Sequence, residues 1–357
     1  DIPFPETNCA MKAAFVKRKN NIRIMEIPTP APQRAEVLLK IDACGVCASD
    51  FIEAKVWARK WKRFGHEITA TVAETGTDVI DLSVGDQVAV ALSSPCGGCT
   101  PCADGNFRKC NHLIAADQGG FAEYLLVKDC RLLHKVEPSI PVELAALAEP
   151  LTVILDAFHL AGLNRGDHLL VIGGGFIGKL ALLTSKALGI AVQGVLSRKK
   201  HPDLTACLRE AGGDYFSWHT FTGKTLAAPI GLKKKLSGLT GRVVVLHTAP
   251  AGFIPLYLSR LPFDSTIVNI GLSAFPKENA IKVDATRLIF KRLQMLSAFP
   301  VPALYMPQAI TLLQQHAKIY SRLTTERMPL TRLPEIITRT VRSEKKILIT
   351  MESCTNF

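Results

Sequence analysis

The sequence predicts an α/β protein built from an antiparallel β-rich domain and a doubly wound parallel sheet. Up to about Val136, short runs of β-forming residues alternate with turn residues, as in an antiparallel sheet. From Leu144 onward, helical periods alternate with buried strands, as in a parallel sheet covered by helices. This alternation stops after about Ala298. We therefore expect domains over residues 1–152 and 153–297, followed by a C-terminal segment over residues 298–357.

The same patterns predict the individual elements. The first domain should contain strands at residues 13–16, 22–27, 36–43, 68–74 and 87–91. The second should begin with a helix, a strand, a glycine turn and a helix, and should continue the alternation, with elements at residues 144–161, 168–172, 176–188, 192–196, 203–211, 242–246 and 266–270. The C-terminal segment should hold helices at 308–320 and 333–341 and a strand at 346–350.

Composition narrows the class of protein and its partners. The chain has 357 residues, of which 48% are hydrophobic and 21% charged, so it is a folded protein rather than a disordered one. Its formal charge is +12, from 43 Lys and Arg against 31 Asp and Glu. The basic residues between positions 287 and 346 are spread singly among apolar ones, and no aromatic stacking pattern accompanies them. They indicate a solvated face, and a nucleic-acid partner is not expected.

The sequence predicts neither a membrane span nor a secretory signal peptide. Its longest uncharged stretch, residues 293–317, contains three prolines and predicts a loop and a helix rather than a membrane span. The first ten residues lack the order of a signal peptide and resemble an extension. The ten cysteines cluster at metal-ligand spacing rather than being distributed as a disulfide framework. We expect a reducing, cytoplasmic location.

A four-cysteine cluster is the strongest chemical signal. Two, two and seven residues separate Cys96, Cys99, Cys102 and Cys110. Four thiolates that close on one tetrahedral Zn²⁺ leave no open position, so such a site is structural rather than catalytic. The sequence therefore predicts a zinc lobe over residues 93–113, which depends on its metal to fold.

A second group of candidate metal ligands is more widely spaced in the sequence and combines three types of side chain. It draws Cys47, His66 with Glu67, and Glu149 from three separated segments. A thiolate, an imidazole and a carboxylate form an open Zn²⁺ site, in which the vacant position takes water or a substrate oxygen. Each piece is weak alone, but their occurrence around a structural zinc lobe favours a catalytic metal.

A glycine motif predicts a dinucleotide site. Gly173, Gly175 and Gly178, with Phe176 and Ile177 between the last two, form G-x-G-x-x-G directly after a predicted strand and at the start of a predicted helix. The glycines allow the turn, the approach of a pyrophosphate and close helix packing.

The end of the next strand indicates which dinucleotide binds. Sites that prefer NAD place an acid about 20 residues after the motif. Here Ser197, Arg198 and Lys199 occupy that region, and no acid occurs between Gly178 and Asp203. A hydroxyl followed by cations suits a 2′-phosphate, so NADP(H) is favoured over NAD(H).

These motifs, in this order, resemble the zinc-containing medium-chain alcohol dehydrogenases. The resemblance runs from Met11 to about Thr350 and includes Gly119-Gly120-Phe121-Ala122-Glu123-Tyr124. Glu149-Pro150-Leu151 is similar to the sorbitol, polyol and threonine dehydrogenase branch. The family implies a GroES-like catalytic domain over residues 1–152, a Rossmann domain over 153–297, and a return of residues 298–357 to the catalytic domain.

The resemblance also implies roles for individual residues. Cys47 and His66 would bind the catalytic zinc, with Glu67 and Glu149 competing for the remaining protein position. Ser49 matches the hydroxyl that takes the alcohol proton, and Asp50 resembles a residue that orients His66 or that hydroxyl. Ala249 and Gly271 fall where the family backbone passes the nicotinamide.

Two departures from the family pattern bear on the chemistry. Ile52 stands where many members have a histidine that passes the proton to solvent. Residues 53–64, rich in cations and with Trp57 and Trp61, replace the usual proline-rich approach to Gly65-His66-Glu67. This loop either lines the pocket for an anionic or sugar-like substrate or forms a solvated rim.

The expected activity is hydride transfer between NADP(H) and a secondary alcohol or ketone of the polyol, cyclitol or amino-alcohol type, with two zinc ions per chain. Two alternatives stay open: a zinc-free double-bond or quinone reductase of the same superfamily, and a catalytically silent protein that binds NADP(H) or polyanions. The family implies a homodimer or homotetramer, for which residues 243–270 offer apolar edge material.

Overall fold

The computed structural model describes residues 10–221, 225–227, 229–339 and 345–351. Two compact units are present. Unit 1 comprises Asp1–Glu149, Val301–Gln314 and Thr325–Phe357, and unit 2 comprises Pro150–Pro300 and Gln315–Thr324. None of the helices in the described ranges combines the length and apolar character that a bilayer span requires.

The secondary structure of the described residues consists of twenty strands, twelve α-helices and short 3₁₀ or π turns. The strands are β1 Ala10–Lys17, β2 Asn21–Pro28, β3 Val37–Gly45, β4 Lys62–Arg63, β5 Glu67–Thr75, β6 Gln87–Val90, β7 Ser93–Ser94, β8 Ile114–Ala115, β9 Tyr124–Val127, β10 Leu133–Lys135, β11 His168–Ile172, β12 Ala191–Ser197, β13 Asp214–Ser217, β14 His219–Phe221, β15 Thr225–Ala227, β16 Val243–His247, β17 Thr266–Asn269, β18 Gln294–Ser297, β19 Thr325–Pro329 and β20 Lys346–Thr350. The helices are α1 Ala48–Ile52, α2 Thr100–Ala103, α3 Val142–Ala145, α4 Ala148–Leu160, α5 Phe176–Leu188, α6 Pro202–Ala211, α7 Ile230–Ser237, α8 Pro276–Asn279, α9 Ala285–Lys291, α10 Met306–Gln315, α11 Ala317–Tyr320 and α12 Leu333–Thr338.

Unit 1 is organised around a seven-stranded sheet. Its strand order is β10-β6-β5-β3-β20-β19, with β9 also paired to β3. All pairs are antiparallel except β19 with β20. Strand β3 is buried along most of its length, and its apolar side chains pack with Phe64 and Phe121 in the core of the unit. This arrangement places β5 and β20 on either side of the end of β3.

Unit 2 is a six-stranded parallel sheet of order β13-β12-β11-β16-β17-β18. Counted along the chain, this order is 3-2-1-4-5-6, which is the doubly wound dinucleotide-binding topology. The direction of winding reverses between β11 and β16. In such sheets the ligand crevice lies outside the carboxyl ends of the strands at this point. Buried side chains of β11 and β16 contribute to the core below the crevice.

Several predicted elements differ in detail from the structure. The predicted helix 144–161 is divided into α3 and α4, because Pro150 cannot donate a backbone hydrogen bond and is accommodated in the first turn of a new helix. The predicted helix 308–320 is divided at His316, whose ψ of 30° leaves the helical range. Residues 293–317, predicted as loop and helix, also contain β18. The predicted end of the last helix, at residue 341, lies outside the described residues, and α12 ends at Thr338.

The sequence analysis expected an apolar sheet edge at residues 243–270, and this location is wrong. Strands β16 and β17 are inner strands of the sheet, and β18 is the edge. Apolar side chains on inner strands of a doubly wound sheet are buried by the neighbouring strands and helices, as Val243 and Ile267 are.

Residues 315–324 join unit 2, whereas the sequence placed the whole of residues 298–357 with the first domain. The contacts explain this difference. Tyr320 is fully buried, and its hydroxyl donates a 3.3 Å hydrogen bond to Oγ1 of Thr184 on α5. Thr324 also hydrogen-bonds to the Asp203 carboxylate at the start of α6.

Candidate functional site

Three neighbouring strands assemble the candidate site in unit 1. At the end of β3, Gly45 pairs with Glu67 on β5 and with Leu348 on β20. A side chain at Gly45 would collide with the Glu67 carboxylate and with the Lys346 side chain. Glycine is therefore required at this position to let the two charged groups meet. Helix α1 begins directly after Cys47.

Asp50 connects the two predicted ligand segments. One carboxylate oxygen accepts a 2.7 Å hydrogen bond from the backbone N–H of Cys47. The other oxygen lies 3.6 Å from Nδ1 of His66. Burial raises the pKa of Asp50 to about 6, against the opposing effects of His66 and the Cys47 N–H. Asp50 therefore contacts both predicted ligand segments, the position that a residue behind a metal ligand occupies.

The ligand atoms of Cys47, His66 and Glu67 lie within 4.8 Å of one another. Tetrahedral zinc with bonds of about 2.0–2.3 Å separates its ligand atoms by about 3.3–3.8 Å, so small side-chain adjustments would close this group on an ion. Burial disfavours the His66 cation, but the hydrogen bond to Cys47 and the charges of Asp50, Cys47 and Glu149 raise the pKa of His66 well above its usual value. These surroundings favour a positive charge, and the donor set fits zinc.

Lys346 is a buried charge that the sequence analysis missed. Its ammonium group forms an ion pair with the Glu67 carboxylate and donates a 3.1 Å hydrogen bond to the carbonyl of Val46. Burial lowers the pKa of Lys346, but the attraction of Glu67, Cys47 and Asp50 outweighs it, so the pKa is raised. The available signal was a lysine at the start of the otherwise apolar strand β20. Its partner lies far away in sequence, on β5.

Glu149 also faces this electrostatic environment. It belongs to the first turn of α4 and is 6% exposed. Burial raises the pKa of Glu149 to about 7, with His66 opposing and Glu67 adding to the effect. Among the described residues, the close ligand group contains Glu67 and not Glu149. Because Glu67 is also paired with Lys346, both carboxylates remain candidates for the third protein ligand.

The remaining residues of this segment differ in exposure. Ser49 is half-buried on α1, whereas Ile52 is 2% exposed. Cys44 is fully buried in the apolar core, and burial raises the pKa of its thiol well above the usual value. An apolar, buried Ile52 offers no route for a proton.

The loop at residues 53–64 contains a π-helical turn at Glu53–Trp57. Lys62 forms a 3.1 Å ion pair with Glu53, and Arg23 lies over the ring of Trp61. Trp57 is 49% exposed. Its role beside a substrate stays a prediction.

The four predicted structural cysteines converge in unit 1. Their sulfur atoms lie within 4.8 Å of one another, with separations of 3.5 Å for Cys99–Cys102, 3.9 Å for Cys99–Cys110 and 4.0 Å for Cys96–Cys102. Zinc bonds of about 2.3 Å to sulfur give tetrahedron edges of about 3.8 Å. All four are free thiols, far beyond disulfide bonding distance. The cluster therefore has the dimensions of a closed Cys₄ zinc site.

The predicted glycine motif lies at the carboxyl end of β11 in unit 2. Gly173 adopts a positive φ of 110°, and a Cβ at Gly178 would collide with the Gly173 carbonyl. Gly175 is the N-cap residue of α5, makes no side-chain cap, and has open space where a Cβ would be. Open space at a helix N-terminus fits a pyrophosphate. Phe176 and Ile177 form the first turn of α5.

The loops after neighbouring strands complete this edge of unit 2. A Cβ at Gly271 would collide with the Ala249 carbonyl, so the two predicted nicotinamide-facing residues are adjacent. Ser197 ends β12, and residues 197–200, called the basic loop below, follow the motif as predicted. Arg198 and Lys199 are exposed and form no ion pair within the described residues.

Comparison with known proteins identifies the family. Residues 33–138 match the alcohol dehydrogenase GroES-like domain. Galactitol 1-phosphate 5-dehydrogenase of Escherichia coli K12 is 31% identical over 245 residues, which cover 67% of this chain and 68% of that protein. The chain belongs to the zinc-type medium-chain alcohol dehydrogenase superfamily. D-arabinose 1-dehydrogenase (NADP(+)) of Saccharolobus solfataricus is 35% identical over 58% of this chain and 62% of that protein.

Two further comparisons concern the share of a relative's length that the match covers and the similarity of the fold. The match to an uncharacterized zinc-type alcohol dehydrogenase-like protein of Haemophilus influenzae, 33% identical, covers 50% of this chain and 54% of that protein. A crystal structure from Sinorhizobium meliloti, described as that of a "putative zinc-binding dehydrogenase" bound to NADP, has a TM-score of 0.79 and 24% identity, and the match covers 96% of this chain and 100% of that one. The predicted fold class, a GroES-like β-rich domain with a parallel-sheet Rossmann domain, is confirmed.

Proposed function

We propose that this protein is an NADP(H)-dependent zinc alcohol dehydrogenase that acts on a secondary alcohol or its ketone. The observation that carries the proposal is the convergence of Cys47, His66 and Glu67 in a member of this superfamily, with Asp50 bonded to the first and facing the second. Lone residues of these types are common, but this joint arrangement matches an open zinc site.

Each residue of the site has a separable task in the proposed reaction. Cys47, His66 and one of Glu67 or Glu149 would hold the ion, which supplies Lewis-acid polarisation of the substrate oxygen when bound. Asp50 would keep the His66 imidazole and the Cys47 backbone in position. The Ser49 hydroxyl accepts the proton of the substrate alcohol and passes it on. A bound nicotinamide would supply the hydride chemistry.

The proton must leave Ser49 by a route other than residue 52. Ile52 is buried and has no titratable group. Water or a cofactor hydroxyl that reaches Ser49 would complete the relay. We therefore expect the rate of proton release to be insensitive to Ile52→Val, which keeps the buried apolar environment.

NADP(H) is the proposed cofactor because of the basic loop. The strand end that carries an acid in NAD-preferring sites carries Ser197 and Arg198 here. A guanidinium can bind a 2′-phosphate with two parallel hydrogen bonds. The arabinose dehydrogenase that resembles this chain is named for NADP(+), which supports the same choice.

Similar proteins suggest the substrate class. They include galactitol 1-phosphate, arabinose and threonine dehydrogenases, as well as a sorbitol dehydrogenase of Bombyx mori. We therefore propose a polyol, cyclitol or amino-alcohol as the substrate. The eight described cysteines are free thiols, which supports a cytoplasmic location.

A second copy of the chain is the proposed partner. Strand β18 is the edge of the unit 2 sheet, and exposed apolar side chains occur before and after it on the same unit. Ile289, Phe290 and Phe299 are 66–73% exposed, and Leu272 is 61% exposed. Large exposed apolar side chains in one segment mark an interface, and an unpaired strand edge favours pairing with an identical strand. This arrangement supports a homodimer or homotetramer built through unit 2.

An absorbance screen tests the proposed activity. Purified protein would be offered polyols, cyclitols and amino-alcohols with NADP⁺ or NAD⁺, and the corresponding ketones with NADPH. The expected result is turnover with NADP(H) that Ser49→Ala lowers by at least about a hundredfold. Activity that survives His66→Ala would instead indicate a zinc-free reductase. Cofactor binding without turnover on any substrate would indicate a silent binding protein.

A further inference from the structure

The basic loop lies against two aromatic side chains of unit 2, and a third aromatic side chain packs on one of them. The guanidinium of Arg198 lies over the ring of Phe253, 5.8 Å from its centroid. The ring of Trp218 contacts Phe253 at a centroid separation of 5.7 Å and an angle of 54°. Tyr215 donates a 3.2 Å hydrogen bond from its hydroxyl to the carbonyl of Ser197. We call Tyr215, Trp218 and Phe253 the aromatic support.

The aromatic support comes from two places in the sheet. Tyr215 is on β13, which pairs with β12 so that Ser197 lies opposite Ser217, and Trp218 follows β13 directly. Phe253 belongs to the 3₁₀ turn Ala251–Leu256 that follows β16. The support therefore holds the basic loop from neighbouring segments at the carboxyl edge of the sheet. Lys200 also lies over the ring of Tyr215, 5.3 Å from its centroid.

The surroundings of Arg198 differ from those of the arginines that are bound to a carboxylate. Arg131 and Arg242 each donate two or more hydrogen bonds to a carboxylate, so their guanidinium groups are already occupied by an anion. Arg198 makes no hydrogen bond or ion pair among the described residues. An aromatic face restrains a guanidinium without using its N–H groups. Arg198 is thus restrained in orientation while its donors stay available for an anion.

We propose that Phe253, braced by Trp218, is a specificity-determining positioning residue that holds Arg198 ready for the 2′-phosphate of NADP(H). The inference rests on the proposed cofactor. Restraining a long, exposed side chain before binding reduces the conformational entropy that binding would otherwise cost. Tyr215 contributes by fixing the loop backbone at Ser197. The effect falls on the 2′-phosphate alone, so it changes the preference between NADP(H) and NAD(H).

The experiment compares Phe253→Leu with a matched control, Phe263→Leu. Leucine keeps apolar volume but removes the aromatic face. Phe263 also lies beneath an arginine, with Arg292 at 5.6 Å from its centroid, but Arg292 is held by the Asp264 carboxylate. Titration calorimetry would measure the Kd of each protein for NADP⁺, NAD⁺, adenosine 2′,5′-bisphosphate and 5′-AMP, with no substrate and no turnover required.

The expected result is selective. Phe253→Leu should weaken NADP⁺ and adenosine 2′,5′-bisphosphate about two- to fivefold, the scale of an exposed cation–π contact. It should leave NAD⁺ and 5′-AMP unchanged, and Phe263→Leu should change none of the four. Arg198→Lys, an exposed substitution that keeps the charge but not the planar contact, should give a similar or larger loss. In an Arg198→Ala background, Phe253→Leu should have no further effect on the preference.

Three outcomes would overturn the inference, and they are distinguishable. A wild-type protein that binds NAD⁺ as tightly as NADP⁺ refutes the proposed cofactor itself. A wild-type protein that prefers NADP⁺, with an unchanged preference in Phe253→Leu, refutes only the positioning role. Equal weakening of all four ligands by Phe253→Leu would show that the ring contacts adenine rather than positioning Arg198.

Discussion

Lys346→Met tests the buried ion pair beneath the candidate zinc site. Methionine keeps most of the apolar stem of lysine but removes the ammonium group. The Lys346 side chain is 3% exposed and that of its partner Glu67 is 1% exposed, so solvent cannot replace the lost charge. Removing one partner of a buried pair costs about 3–5 kcal/mol, because the other charge stays buried without compensation. The unfolding equilibrium should shift by about a hundredfold or more.

Urea unfolding provides the assay. Trp57 and Trp61 report on unit 1 when Trp218, in unit 2, is replaced by phenylalanine in every variant. Glu67→Gln combined with Lys346→Met removes both charges and should recover most of the loss. Arg34→Met is the matched control, because the Arg34–Asp78 pair has side-chain exposures of 82% and 45% and should contribute about 0–1 kcal/mol. A loss of stability in Lys346→Met as small as that in Arg34→Met would show that the buried ion pair stabilises unit 1 no more than an exposed one.

Three further predictions concern unit 2 and the zinc lobe. Burial lowers the pKa of His247 to about 4, below its unfolded value of 6.5, so the unfolded state binds the proton first as the solution is acidified. Stability should therefore be complete above pH 6.5 and fall by about 3 kcal/mol towards pH 4, and His247→Gln should flatten this part of a pH series of urea midpoints. Gly175→Ala should leave the thermal midpoint unchanged, because its Cβ meets no other atom, but it should abolish measurable dinucleotide binding by calorimetry. Gly178→Ala should destabilise the protein by about 1–3 kcal/mol, because its Cβ would collide with a backbone carbonyl. Cys102→Ser should remove zinc from the lobe and make it sensitive to proteolysis, and Cys207→Ser, at a buried thiol in unit 2, should retain all the zinc by elemental analysis.

Part of the fold could be predicted from the sequence because some elements are defined by their own residues. The strand His168–Ile172, the glycine turn and the helix Phe176–Leu188 were predicted with the bounds that the structure has. Each of these elements is defined by its own residues: a buried apolar run, glycines and a following helical period. The convergence of the four cysteines could be predicted for the same reason, since all four lie within one short segment.

Contacts between residues that lie far apart in the sequence could not be predicted in this way. Lys346 was assigned only to a strand, because its partner Glu67 is brought close by the pairing of β3 with β5 and β20. The aromatic support was missed because Phe253 and Arg198 follow different strands, and nothing in either segment alone indicates the other. Several short strands were also missed, since two or three residues show no period.

Zinc analysis of three proteins tests whether Cys47 and His66 bind a catalytic ion. Elemental analysis after exhaustive dialysis would be applied to the wild type, Cys47→Ala and Cys102→Ala. Since the described residues contain two ligand groups, we expect two zinc ions in the wild type and one in each variant, and Cys47→Ala should stay folded but lose turnover. Full zinc content in Cys47→Ala, or a single ion in a wild type that turns over substrate, would contradict this expectation.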